Sequence, residues 1–181
     1  SGVDNTVSTF GGVISYRIKD GVKQFERVRL SKPVEIVLGN SGVTSNTASL
    51  RGFLKEQEKD DPALFNGRLD LIRAQVRGLG EALAKEDLRE TGRIMSENHR
   101  MLIDMGLSHP ELVRLCKLAE SLGAYGSKVT GGGRGGYMVA LTPGKELQDR
   151  VASAFEAQGI ATIRATIGGV PTDDRQSAIL N

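Results

Sequence analysis

A single cysteine, Cys116, no tryptophan and only five prolines stand in this chain of 181 residues. One cysteine excludes an intrachain disulfide and suits a reducing compartment, so the chain reads as cytoplasmic. Aromatic residues make up 4% of the sequence, which supplies few platforms for stacking bases. The 24 basic side chains are interspersed with 22 acidic ones and leave a net charge of +2. That balance excludes the basic surface a nucleic acid requires. No apolar run approaches the roughly 18 residues of a membrane span, and no secretory leader is visible. His99 and His109 fall on different elements without cysteine or carboxylate partners at metal-ligand spacing, so no zinc site is read. Glycine, by contrast, is abundant. Of 23 glycines, five crowd into one stretch.

The elements follow from pattern. Residues 1–12, SGVDNTVSTFGG, read as a loop of small polar residues carrying Asp4. Residues 11–30 read as two strands joined at Asp20 and Gly21, a hairpin signal. VEIVLG, 34–39, is a short apolar strand. Helical spacing begins near Thr44 with Leu50, Phe53 and Leu54. Asp61 followed by Pro62 predicts a helix start, with Leu69, Ile72, Val76, Leu79 and Leu83 as its buried face. A third helix runs from Asp87 to Met105, ended by Gly106. Ser108, Pro110 and Glu111 read as a capping box opening a fourth, which ends near Gly123. YGSKV and YMVAL are strands around the loop TGGGRGG. Thr142 and Pro143 are expected to cap a fifth helix, and ATIRATI to be the last strand, followed by a polar, loosely held tail. The order from Val34 is β-α-β-β-α-β with extra helices in the first crossover, an α+β, ferredoxin-like split sheet preceded by a hairpin.

The loop KVTGGGRGGYMV sets Gly131, Gly132, Gly133, Gly135 and Gly136 around Arg134 between two strands. Glycine reaches positive φ and lets a backbone approach a ligand closely. Successive N–H groups in such a loop form a concave anion site, the way many proteins hold phosphate. The plainer reading is a wide hairpin loop without a ligand. A strand-like segment follows the loop, against both a Rossmann fingerprint and a Walker loop, which open a helix.

SGVDNTVSTFGG and SKVTGGGRGGYMVAL together resemble the mevalonate kinases, in the GHMP superfamily that also holds galactokinase, homoserine kinase and phosphomevalonate kinase. The resemblance extends to GNSGVTSNTASL and to the helical stretch MSENHRMLIDMGLSHPELVRLCKLAESLGAYGSK, and so spans nearly the whole chain. It implies that Asp4 is the catalytic acid/base beside the attacking hydroxyl. Ser1, Gly2 and Asn5 would shape the segment presenting Asp4, and Thr47 lies where the family has a threonine near the site. Gly131, Gly132, Gly133, Arg134, Gly135 and Gly136 would line the phosphate region. The implied reaction is phosphoryl transfer from ATP with Mg²⁺ to the hydroxyl of a small alcohol such as mevalonate. Residues 1–31 would close an N-terminal kinase domain and residues 32–181 would be the C-terminal domain. The family's Gly-Leu-Gly-Ser-Ser-Ala nucleotide loop, its Mg²⁺-holding glutamate and the lysine accompanying the aspartate are expected upstream of Ser1, on an N-terminal half this chain needs as partner. A homodimer is left open.

Arg134 departs from the family pattern, which has glycine there, and Tyr137 replaces a small residue. Arg134 either forks onto a phosphate oxygen, perhaps of an already phosphorylated acceptor, or points into solvent. A kinase of phosphomevalonate or another small alcohol therefore stays open beside one of mevalonate. So does a non-enzymatic ferredoxin-like module binding an anionic metabolite. Cys116 reads as a small buried hydrophobe, His109 as structural, His99 as a solvated or core-edge side chain, and KEQEKDDP as a solvated face.

Overall fold

The computed structural model describes residues 3–28, 30–44, 47–168 and 177–180. Thirteen elements follow in order: α1 (Val3–Phe10), β1 (Val13–Lys19), β2 (Val22–Val28), β3 (Val34–Asn40), α2 (Thr47–Asp60), α3 (Pro62–Ala84), α4 (Leu88–Asp104), α5 (Pro110–Ser121), β4 (Gly126–Val129), β5 (Tyr137–Leu141), α6 (Lys145–Glu156), β6 (Thr162–Ile167) and β7 (Ser177–Leu180). The hairpin is where the sequence puts it. Asp20 at φ 51° and Gly21 at φ 77° make the tight turn whose twist matches its strands.

β3, β4, β5 and β6 form one antiparallel sheet in the order β4-β5-β3-β6. Numbered within the sheet, this is the ferredoxin-like arrangement with the first and third strands central. One face carries Val37, Val129, Met138 and Ala140 against Leu112, Leu115, Cys116 and Ala119 of α5 and Val151, Ala152 and Phe155 of α6. The opposite face carries Val34, Ile36, Leu141 and Ile167, covered by Leu79 and Leu83 of α3, Leu88 and Met95 of α4 and the base of the hairpin. A third cluster joins α2, α3 and the end of α4 around Phe65, Met105 and Leu107. α4 runs beside the outer strand β4, where the Ser127 N–H donates to Ser96 Oγ at 3.2 Å.

Several expectations are corrected. Residues 3–10 are helix, not loop: Val3, Thr6, Val7 and Phe10 recur at helical spacing, Thr6 is buried, and Gly11 and Gly12 at positive φ stop the turn. Ser108 does not cap α5. His109 does, its Nδ1 accepting from the Glu111 N–H at 3.2 Å. Gly144, not Thr142, precedes α6, because Thr142 is buried with both its N–H and Oγ1 directed to the Glu35 carbonyl. Val76 is exposed rather than part of the buried face of α3. Ile167 does not end the last strand: β7 adds a third strand to the hairpin by pairing antiparallel with β2. Residues 169–176 and 181, the rest of the tail, lie outside the described residues.

Candidate functional site

The glycine loop, residues 131–136, joins β4 to β5 at the edge of the sheet. Its base is closed by Thr130, whose N–H and Oγ1 both donate to the Tyr137 carbonyl at 2.9 Å. Its far end hangs on the segment after β3: the Gly136 N–H donates to Val43 O at 2.8 Å, while Gly136 O accepts from the Ser41 N–H at 2.9 Å and Ser41 Oγ at 2.8 Å. Its middle rests on the turn between α4 and α5, where Gly133 O accepts from the His109 N–H at 3.1 Å. Gly133 has no alternative residue. Its φ is +78°, and a Cβ there would lie 1.9 Å from Leu107 O. At Gly132 a Cβ would meet Leu50 of α2 at 2.6 Å.

These anchors use carbonyls and the N–H at the loop's end. Gly131 and Gly132 form a tight turn that directs the Gly133 N–H back toward Thr130 O. Among the described residues, no protein acceptor takes the N–H groups of Gly131, Gly132, Arg134 or Gly135. Four such donors in a loop with four glycines at positive φ, Gly131, Gly133, Gly135 and Gly136, suit an anion. Lys128, three residues before the loop, is half-buried, and burial holds its ammonium below the ordinary lysine pKa. The strand alternation puts it opposite the core residues Ser127 and Val129, a signal available in YGSKV but not used there. Arg134 is exposed, with its Cζ 4.3 Å from the centroid of the Phe53 ring on α2.

Of the other site residues, Asp4 and Asn5 lie in the first turn of α1, which packs on β1, and Thr47 is the first residue of α2. Thr47 thus begins the helix whose Leu50 and Phe53 meet the loop. Ser1 and Gly2, and the side chains of Asp4, Asn5 and Thr47, lie outside the described residues. The structure therefore gathers the loop, α2 and the α4–α5 turn in one place. Leu50, Phe53, Leu107, Ser41 and Val43 are the partners that sequence reasoning missed.

Behind the α4–α5 turn, His99 is buried and its Nε2 lies 3.1 Å from Ser108 Oγ. Burial lowers its pKa below 6.5; Glu120 pulls it up and Lys128 pushes it further down. Because the unfolded chain binds this proton more readily, the stability contribution is full above the unfolded value near 6.5 and is lost as pH falls from there through the lowered folded value. The urea midpoint is expected to fall on acidification from about pH 7.5 to about pH 5, and His99→Gln to flatten that slope. Equal slopes in the two proteins would remove His99 from the account. Cys116, buried in the core under α5, has its thiol pushed up to about 12 by burial and is no nucleophile.

Residues 80–161, from the end of α3 to the threshold of β6 and including the whole glycine loop, match the family model described as GHMP kinases C terminal. They form a GHMP kinase C-terminal domain. The chain is 34% identical over 164 residues to the mevalonate kinase of Pyrococcus horikoshii, covering 88% of this chain and 47% of that one. It is 33% identical over 165 residues to the mevalonate kinase of Thermococcus gammatolerans, with the same coverage of 88% and 47%. Among solved structures, L. major mevalonate kinase in complex with R-mevalonate superposes with a TM-score of 0.89 at 28% identity, over 94% of this chain and 53% of that one. The chain spans about half the length of the curated relatives it matches. Within the GHMP kinase C-terminal domain, no three His, Cys, Asp or Glu side chains among the described residues come together as metal ligands. No described helix is long and apolar enough to cross a membrane.

Proposed function

We propose that this chain is the C-terminal part of a cytoplasmic kinase that transfers the γ-phosphoryl group of ATP to the hydroxyl of mevalonate. The observation that carries the reading is the overlap, at a TM-score of 0.89 over 94% of the chain, with a mevalonate kinase whose structure holds R-mevalonate. The unpaired N–H groups of Gly131, Gly132, Arg134 and Gly135 support it from the chemistry of the chain itself. Phosphoryl transfer has a loose transition state in which charge spreads over the phosphoryl oxygens. Catalysis there is mainly positioning and electrostatic stabilisation.

The division of labour follows. Asp4, held by α1, orients the acceptor hydroxyl and takes its proton as the bond to phosphorus forms. The loop 131–136 cradles phosphate oxygens with its unpaired N–H groups, and Thr47 begins the helix that supports the loop. Residues 1–31 close an N-terminal domain and residues 32–181 form the C-terminal one. The segment preceding Ser1 supplies the nucleotide loop, the lysine beside Asp4 and the ligands of Mg²⁺, which neutralises the phosphates when bound. By itself the chain binds nucleotide weakly and turns over little.

The test is ADP release by the protein comprising this chain and its preceding segment, with mevalonate, phosphomevalonate, galactose and homoserine as acceptors. The expected result is a kcat/KM for mevalonate at least about tenfold above the others, a gap of about 1.4 kcal/mol in transition-state binding. A preference for phosphomevalonate would move the acceptor. No turnover with any of the four would leave an anion-binding module without phosphotransfer.

A further inference from the structure

We infer that Arg134, stacked on Phe53, is a pre-oriented fork for phosphate oxygens, added to the row of loop N–H groups and reading a second face of the same anion. The inference rests on the phosphate-cradle reading of the loop and adds to it a specificity-determining pair, one partner of which lies on α2.

Three observations converge. First, Arg134 has no carboxylate partner: it forms no ion pair and no hydrogen bond among the described residues. Arg93 and Arg114, by contrast, are each taken up by a glutamate within one turn. Second, the guanidinium lies over a ring, with its Cζ 4.3 Å from the Phe53 centroid. The contact holds the guanidinium carbon over the ring, and no described residue takes its five N–H donors, a set that can meet two phosphate oxygens at once. A long flexible side chain is thereby ordered before any ligand arrives, which removes part of the entropy cost of binding. Third, the ring is itself held. Phe53 packs in the cluster with Leu50, Met105 and Leu107, and its Cζ would lie 3.1 Å from a Cβ at Gly106. The platform is as fixed as the core beneath it.

The loop's own N–H groups and the fork belong to one short segment, residues 131–135, so their donors serve one anion or two adjoining phosphates. A lysine here would supply charge without a planar fork and without stacking to hold it. The recognised chemistry is a phosphate monoester or polyphosphate. It comes either from the nucleotide or from an acceptor that already carries a phosphate.

Titration of the 181-residue chain with inorganic tripolyphosphate tests this, followed by calorimetry and by the Arg134 Nε–H resonance. Binding is expected to move that resonance downfield. Arg134→Gly is expected to raise Kd by about ten- to a hundred-fold, the range for a charge-assisted hydrogen bond. Arg134→Lys keeps charge and loses the fork, and is expected to recover less than half of that loss on a logarithmic scale. Phe53→Leu keeps apolar packing and removes the platform, with a rise of about two- to fivefold. Parallel titrations with a non-hydrolysable ATP analogue and with phosphomevalonate identify the source, because only the ligand whose phosphate reaches Arg134 weakens in Arg134→Gly. Tripolyphosphate binding to Arg134→Gly within twofold of wild type, or an unmoved Nε–H resonance, overturns the inference. Its failure is separable from that of the proposed function. A protein that phosphorylates mevalonate with an indifferent Arg134 removes only the fork, whereas Arg134-dependent polyphosphate binding without turnover removes only the kinase.

Discussion

Asp4→Asn, made in the protein that includes the preceding segment, is expected to lower kcat by about 10²–10⁴-fold while the KM for mevalonate stays within about threefold. The amide keeps the size and one acceptor oxygen of the carboxylate, so the hydroxyl is still held. What it loses is the capacity to take a proton and the negative charge that raises the nucleophilicity of the bound oxygen. Residue 4 lies in the first turn of α1. A carboxylate base suits the late proton transfer of a loose phosphoryl-transfer transition state. Single-turnover measurement with saturating ATP separates this loss of chemistry from any loss of binding, and an unchanged thermal melt excludes misfolding. Wild-type kcat in Asp4→Asn would sink the assigned role.

Gly133→Ala is expected to destabilise the chain by more than about 3 kcal/mol, near the upper end of what single substitutions do. Two costs add. A left-handed φ of +78° costs a residue with a Cβ about 1–2 kcal/mol. The Cβ would also stand 1.9 Å from Leu107 O, a backbone atom that cannot swing aside like a side chain. Relieving that overlap pushes the loop off the α4–α5 turn and breaks the bond from the His109 N–H to Gly133 O. For a chain of this size, Tm should fall by about 6–12 °C, at 2–4 °C per kcal/mol. Gly131→Ala is the control. Its φ of +56° carries a similar backbone cost, but a Cβ there meets nothing within 4 Å, so the loss is about 1 kcal/mol. Equal melting temperatures for the two variants would show that the Leu107 contact gives way without cost.

What could be read from the sequence was local. Asp20 with Gly21, Asp61 with Pro62 and Asp87 each carry turn or cap chemistry within four residues, and each stands where expected. The order of strands and helices after Val34 was enough for the sheet topology, because a split β-α-β-β-α-β chain has few ways to close. Local signals misled where a competing partner lay far along the chain. Thr142 resembles a helix cap until Glu35, more than a hundred residues earlier, takes its hydroxyl. Ser108 resembles one until its hydroxyl pairs with His99 Nε2. Residues 3–10 look like a loop because Asp, Asn, Ser and Thr bond their own backbone in turns; two glycines stopping an amphipathic turn were the weaker cue. The site divides the same way. Glycine density exposed the loop, but its supports, Val43, Leu50, Phe53 and Leu107, are ordinary apolar residues until the fold brings them there.

The loop's three points of attachment also bear on its motion. Pinned by Thr130 at one foot, by Ser41 and Val43 at the other and by His109 at the crown, it is an arch rather than a lid. Its amide hydrogens should divide accordingly on exchange into deuterated water: the Gly136 N–H slow, because release requires the segment after β3 to part from it, and those of Gly131, Gly132, Arg134 and Gly135 fast for want of an acceptor. An anion that slows the fast set would do so without moving the arch, by filling a mould already cast.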